Sequence, residues 1–260
     1  MSAGSKAVME NEKVSTASAT PSVGNASLDP SAAKRAARAL YLIVLVSGAV
    51  LMGVEIAGAK ILAPGFGTST FVWGSIIGMF MFALATGYYL GGFVADAQPR
   101  FSLLASVVIA AGAWTALIPR LGPGMAESIA RSDIGPIAGP LLASFAIFFI
   151  PSVLMGIVSP FAVKLNASSL SGLGGVAGRL YALSTAGSIA GTLLTTFVLI
   201  PVLPLSSVLQ LLGVTLIVCA VIGLALFRSA HGGATRTSIG VAGLVAVIAI
   251  QAWAVFPVEP

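Results

Sequence analysis

Residues 39–62 read ALYLIVLVSGAVLMGVEIAGAKIL, and only Glu55 and Lys60 interrupt the apolar run with charge. A helix needs about 20 apolar residues to cross the hydrocarbon core of a bilayer. Only elements that satisfy their own backbone hydrogen bonds survive there, so the stretch reads as a membrane-spanning helix. Six more runs of the same kind follow, over 71–95, 101–118, 141–163, 176–200, 205–227 and 239–256. The expected fold is all-α, a polytopic membrane bundle of seven transmembrane helices filling 39–256. A polar loop carrying Arg120, Glu127, Arg131 and Asp133 is expected after the third span.

The whole chain agrees with this reading. It has 260 residues, of which 57% are hydrophobic and 8% charged, where a soluble domain carries about 25% charged residues. Too little polar surface exists to cover a water-soluble globule. Residues 1–38 are rich in Ser, Ala, Asn and Pro and read as a disordered tail ending in a basic membrane flank, Lys34, Arg35 and Arg38. No apolar core stands near the start, so the tail is not read as a signal peptide. Residues 257–260 form a short outer tail.

Basic residues mark the cytoplasmic side of short loops. With the N-terminus cytoplasmic, ten of the 13 Lys and Arg fall inside, and only Lys60, Arg120 and Arg131 fall outside. Seven crossings then put the C-terminus outside. The expected location is a bacterial inner membrane, and the first partner is the lipid bilayer. The net charge of +5 comes from residues at the ends of apolar runs, not from a basic patch interleaved with aromatics, which argues against nucleic acid. Cys219 lies within an apolar run and reads as a small buried hydrophobe.

Small residues recur at spacing four: Gly74 with Gly78, Gly187 with Gly191, and the stripe Ala83, Gly87 and Gly91. Such spacing lets helix backbones approach closely in lipid. Two short strings also repeat. Leu51-Met52-Gly53 returns as Leu154-Met155-Gly156, and Gly74-Ser75-Ile76-Ile77-Gly78 returns as Gly187-Ser188-Ile189-Ala190-Gly191. They suggest a 3+3 repeat, inverted because three spans is an odd number. Pro151 is expected to kink the fourth span by removing a backbone donor.

Five polar residues are candidates for function: Glu55, Lys60, Asp96, Lys164 and Arg179. Glu55 is the most informative. A carboxylate inside a span costs several kcal/mol unless it is paired, protonated or facing water. It reads either as a proton, cation or ligand site or as a clamp between helices. Lys60 stands about 140° around the helix from it, so the partner of Glu55 is expected on another helix. The stretch Gly91-Gly92-Phe93-Val94-Ala95-Asp96 resembles the loop signature of major-facilitator transporters, in which an acid latches helices. Gln98-Pro99-Arg100 is only a fragment of its basic tail, and the plainer reading is a cytoplasmic turn. Lys164 reads as an interfacial anchor. Arg179 reads as a snorkelling side chain or as the partner of an acid.

No cofactor or metal site emerges. His231 has no Cys or carboxylate near it in sequence. Gly172-Leu173-Gly174-Gly175-Val176-Ala177 has the glycines of a dinucleotide loop but neither the preceding strand nor the following acid. No nucleophile–base set or phosphate loop is evident, so catalysis is not expected of this chain by itself.

Four segments, in order, resemble membrane-bound spermidine-synthase-like proteins: EIAGAKILAPGFG from Glu55, FVWGSIIGMFMFALATGYYLGGFVAD from Phe71, MGIVSPFAVKL from Met155 and GRLYALSTAGSIAGTLLTTFVLIP from Gly178. The resemblance covers about residues 40–205. In that family a multi-span domain precedes a soluble domain similar to aminopropyltransferases and methyltransferases. That soluble domain has no counterpart in this chain. The resemblance implies a non-catalytic membrane module that works with a soluble transferase-like partner, with Glu55, Lys60, Lys164 and Arg179 lining its polar interior. Two other readings stand beside it: a small secondary transporter for a cation or polyamine, and a structural subunit of a membrane complex.

Overall fold

The computed structural model describes residues 30–166 and 172–230, and every element among them is helical. Helix α1 runs Pro30–Phe66, α2 Thr70–Ala97, α3 Phe101–Arg131 and α4 Ala138–Asn166. Helix α5, Leu173–Leu194, widens into a π-helical turn, Thr195–Leu199, and finishes in the short α segment Ile200–Val202. Helix α6 is Leu205–Ala230. Six of these helical stretches are long and apolar enough to span a membrane. The seventh expected span, 239–256, lies outside the described residues.

Local chemistry explains most helix ends. Proline is favoured at the first helical position, and α1 begins at Pro30, inside what reads in the sequence as tail. Gly67 ends α1 in the left-handed region, φ 73°, with its N–H donating to the Ala63 carbonyl at 2.8 Å. Only glycine takes that conformation freely. Pro99 stops α2, because the residue before a proline avoids helical geometry.

One boundary departs from the sequence reading. The expected loop after residue 118 is helix as far as Arg131, straight through Pro119 and Pro123. Packing overrides the breakers here. Gly122 is seated against Ile147 of α4 and Ile61 of α1, and Gly65 of α1 lies against Ala130. Glu127 and Arg131 form an exposed pair at 2.6 Å, one turn apart on the same helix. Helix α4 likewise continues through Pro151 and Pro160.

The helices pack in a definite pattern. Helix α2 lies along α4, and α1 along α5; α1 also packs on α6, and α4 on α3; α3 meets α6, and α1 crosses α4. Glycines make the closest seams. A Cβ on Gly187 or Gly191 would strike the backbone of α1 at Leu45 and Ala49. One on Gly87 would meet the Val153 carbonyl and the Gly156 Cα, and one on Gly91 the Ile157 Cα. Gly112 and Gly213 face each other reciprocally, each Cβ position 2.6 and 2.5 Å from the other's carbonyl oxygen. Gly74 and Gly78 differ: among the described residues nothing lies within 4 Å of their Cβ positions. The repeat string that pairs them with Gly187 and Gly191 therefore does not mark equivalent packing. In α2 the close contacts are made instead by Gly87 and Gly91, against α4.

Ring contacts reinforce two of these interfaces. Phe80 and Phe148 join α2 to α4 with centroids 6.0 Å apart, and Phe101 stacks on Phe227 at 4.4 Å between α3 and α6. The outer faces of α2 and α5 stay apolar and open, as at Phe71, Phe93, Phe197 and Val202. In water such a surface would drive association; in a bilayer it faces lipid.

Candidate functional site

Hydroxyls inside a membrane bundle need partners, and most here find one on their own helix. Ser75, Thr115, Ser144 and Ser152 each donate to the carbonyl four residues earlier, at 2.7–2.8 Å. Such back-bonding removes the cost of a polar group in apolar surroundings. Ser47, Thr195 and Thr196 are the exceptions: their hydroxyl oxygens are buried and have no partner among the described residues.

Ser47 marks the site. Its residue is 4% exposed, and it lines a narrow cleft where four helices meet. Helix α1 supplies Val44, Ser47, Gly48 and Leu51, α2 supplies Leu84 and Tyr88, α4 supplies Met155, Val158 and Ser159, and α5 supplies Ser184. The free volume is about 20 Å³, room for a single water. The absence of a side chain on Gly48 makes the junction tight, since a Cβ there would collide with the Ser184 backbone. Ser188, one turn further along α5, donates to the Gly48 carbonyl at 3.3 Å. Tyr88 is close enough to Tyr181 of α5 for their phenols to interact electrostatically, and both rings are about half exposed.

Glu55 belongs to the same face. At about 100° per residue, Val44, Gly48, Leu51 and Glu55 fall within an arc of about 60° on α1, and Glu55 lies ~6 Å beyond Leu51. It is half-buried and has no hydrogen bond or ion pair among the described residues. The partner expected on another helix is not found there. Glu55 is also the one acid in the middle of a described span, since Asp96, Glu127 and Asp133 stand at helix ends.

The other candidates do not line the interior. Lys60 is exposed near the far end of α1. Arg179 is exposed, and its Nε donates to the Gly175 carbonyl of its own helix at 3.1 Å. Lys164 and Asp96 pair with each other, Nζ to Oδ1 at 2.6 Å, joining the ends of α4 and α2. Asp96 is thus an interhelix latch rather than a plain turn residue, and Lys164 is its partner rather than a free anchor. The pair is exposed, so its worth is about 0–1 kcal/mol after solvent screening. Asp96→Lys is expected to weaken stability only slightly in a detergent melting assay, and Asp96→Lys with Lys164→Asp to restore it. A large loss that the swap does not repair would give Asp96 another role.

Sequence reasoning missed Ser47, Tyr88, Ser159 and Ser184. A serine in a span usually bonds its own helix, so no pattern separates the three serines from the satisfied hydroxyls, and Tyr88 reads as an ordinary apolar-face aromatic. No group of three or more His, Cys, Asp or Glu that could hold a metal occurs among the described residues. Comparison with family models, curated proteins and solved structures returns no match.

Proposed function

We propose that this chain is a small secondary carrier, built as a 3+3 inverted repeat, that moves a cationic solute through the cleft between its halves. The observation that carries the reading is the face of α1. A buried hydroxyl without a partner among the described residues, Ser47, lies on it where α1, α2, α4 and α5 meet, and a carboxylate with no hydrogen bond or ion pair among them, Glu55, stands ~6 Å beyond Leu51 on the same face. Unpaired polar groups at membrane depth cost free energy and commonly mark ion or substrate paths.

The helix pairings support the repeat. Exchanging α1 with α4, α2 with α5 and α3 with α6 turns the α2–α4 contact into α5–α1 and the α1–α6 contact into α4–α3. It returns α3–α6 and α1–α4 to themselves, and the reciprocal Gly112–Gly213 contact falls on the expected axis. Sites at the interface of inverted repeats are the usual arrangement in secondary transporters. Cation chemistry fits a carboxylate with hydroxyls and two tyrosine rings, whose faces attract positive charge. The basic residues Lys34, Arg35, Arg38, Arg100, Lys164, Arg179 and Arg228 gather at one end of the bundle, which favours a cytoplasmic N-terminus in a bacterial inner membrane.

The test is uptake of labelled putrescine and spermidine into proteoliposomes under an imposed pH gradient. Saturable uptake that depends on the gradient is the expected result. No uptake of any cation across a broad panel would sink the carrier reading.

A second reading has its own support in the four ordered segments similar to spermidine-synthase-like proteins. On that reading the bundle is a membrane module for a soluble aminopropyltransferase- or methyltransferase-like partner. Affinity purification from native membranes in mild detergent separates the two. A stoichiometric soluble companion of that fold supports the module, and a clean chain with cation uptake supports the carrier.

A further inference from the structure

The following rests on the carrier reading and names a part of its site that the present structure keeps closed. The helix exchange has a definite register. Leu51-Met52-Gly53 and Leu154-Met155-Gly156 are separated by 103 positions, 51 to 154. Gly87 lies against the Val153 carbonyl and Gly191 against that of Ala49, which makes Gly87 and Gly191 equivalent, a shift of 104 from 87 to 191. The same shift places Gly91 on Thr195. The contacts agree, since Gly91 meets Ile157 and Thr195 meets Gly53, and on α1 and α4 they give the same shift of 104, from 49 to 153 and from 53 to 157, one position from that of the repeat string.

These shifts carry the walls of the serine cleft to new residues. In the register of the contacts, Met155, Val158 and Ser159 of α4 fall on Leu51, Val54 and Glu55 of α1, and Leu84 and Tyr88 of α2 fall on Ser188 and Thr192 of α5. Because the halves are inverted, the counterpart faces the other end of the bundle, toward Lys60. We infer that Glu55, Ser188 and Thr192 form a second half-site, which opens toward the Lys60 end as the serine cleft closes and takes the positive group of the solute.

The state of these groups fits a closed half-site. Thr192 Oγ1 donates to the Ser188 carbonyl at 2.9 Å. Ser188 Oγ bridges α5 to the Gly48 carbonyl of α1 at 3.3 Å, a length at the weak end of hydrogen bonding. Parting α1 from α5 at that bridge frees the Ser188 hydroxyl on the face of α1 that carries Glu55, a carboxylate with no hydrogen bond or ion pair among the described residues. A carboxylate and hydroxyl oxygens, with no fixed cation among them, select positive charge.

Accessibility of single cysteines tests this in the full chain, in a Cys219→Ala background and sealed vesicles. Ser159→Cys reports the serine cleft, and Ile56→Cys, next to its counterpart Glu55, reports the second half-site. A membrane-impermeant maleimide is expected to reach Ser159→Cys from the Asp96–Lys164 face and Ile56→Cys from the opposite face only. Cross-linking a Tyr88→Cys/Tyr181→Cys pair should shut the cleft mouth and raise Ile56→Cys labelling several-fold. Putrescine should slow that labelling several-fold, and the protection should vanish in Glu55→Gln. Met52→Cys serves as a second reporter should Ile56→Cys fold poorly. Labelling of both reporters from one face, or no response to the cross-link, overturns the inference. Protection that survives Glu55→Gln removes the carboxylate from the site. Uptake without any labelling at Met52→Cys or Ile56→Cys sinks this half-site alone, whereas alternating labelling without uptake sinks the carrier reading and leaves the two-cleft geometry standing.

Discussion

Gly191→Leu is expected to destroy the folded bundle, while Gly74→Leu leaves it intact. The two glycines read alike in sequence, each the member of a pair at spacing four in an apolar run. At Gly191 a Cβ would overlap the carbonyl oxygen, Cα and carbonyl carbon of Ala49. Those are backbone atoms of α1 and cannot rotate away, so α5 must lift off. Overpacking a well-packed interior costs typically about 1–3 kcal/mol, and a clash with backbone belongs at or beyond the top of that range. Helix α5 has little else to hold it, since its principal neighbour is α1 and most of its surface faces outward. At Gly74 nothing among the described residues lies within 4 Å, and a leucine there adds apolar surface toward lipid. Size-exclusion chromatography in mild detergent reads the difference: loss of the monodisperse peak for Gly191→Leu and a normal profile for Gly74→Leu. A normal Gly191→Leu protein would mean that the α1–α5 seam is not closed as described.

Glu55→Gln is expected to abolish coupled cation uptake while leaving insertion and melting temperature unchanged or slightly improved. The carboxylate makes no hydrogen bond or ion pair among the described residues, so its removal breaks no contact. Charge at membrane depth carries an insertion cost of about 2.5–3.5 kcal/mol for an acid at mid-span, and glutamine lowers it while keeping the shape. A residue retained purely as a clamp behaves in the opposite way, because loss of its bond destabilises the bundle. Measuring uptake and melting on the same preparation therefore decides between the two readings of Glu55. Lost stability with preserved uptake would make it structural.

Much of the architecture was legible in the sequence because the bilayer imposes it. Length and hydropathy placed six spans close to the helices found, at 39–62, 71–95, 101–118, 141–163, 176–200 and 205–227. The start of each helix was the better-read end in α2, α3 and α6, where proline and charge punctuate the chain. The far half of α3 reads as a loop because Arg120, Glu127 and Arg131 end the apolar run, and Pro119 and Pro123 do not break the helix. Only the fit of Gly122 and Ala130 against α1 and α4 shows why they stay helical. The π-helical turn at Thr195–Leu199 had no sequence signal.

The candidate site divides the same way. Glu55 stood out at once because a lone charge in an apolar run is physically anomalous. Asp96 and Lys164 were each noticed, but their pairing across 68 positions is a consequence of α2 lying along α4. Ser47, Ser159 and Ser184 carry no anomaly in sequence, since a hydroxyl in a helix normally bonds the carbonyl a turn away.

By itself, then, the sequence determined the medium, the secondary structure and the one acid in the middle of a described span, because each follows from transfer free energy along a single helix. Which small-residue stripe becomes a seam, which hydroxyls go unpaired and which face of α1 holds the cleft were decided only by tertiary structure. Those properties depend on which helix lies alongside which. In lipid that choice rests on close van der Waals fit between backbones, and fit is a property of pairs of surfaces that no single stretch of chain contains.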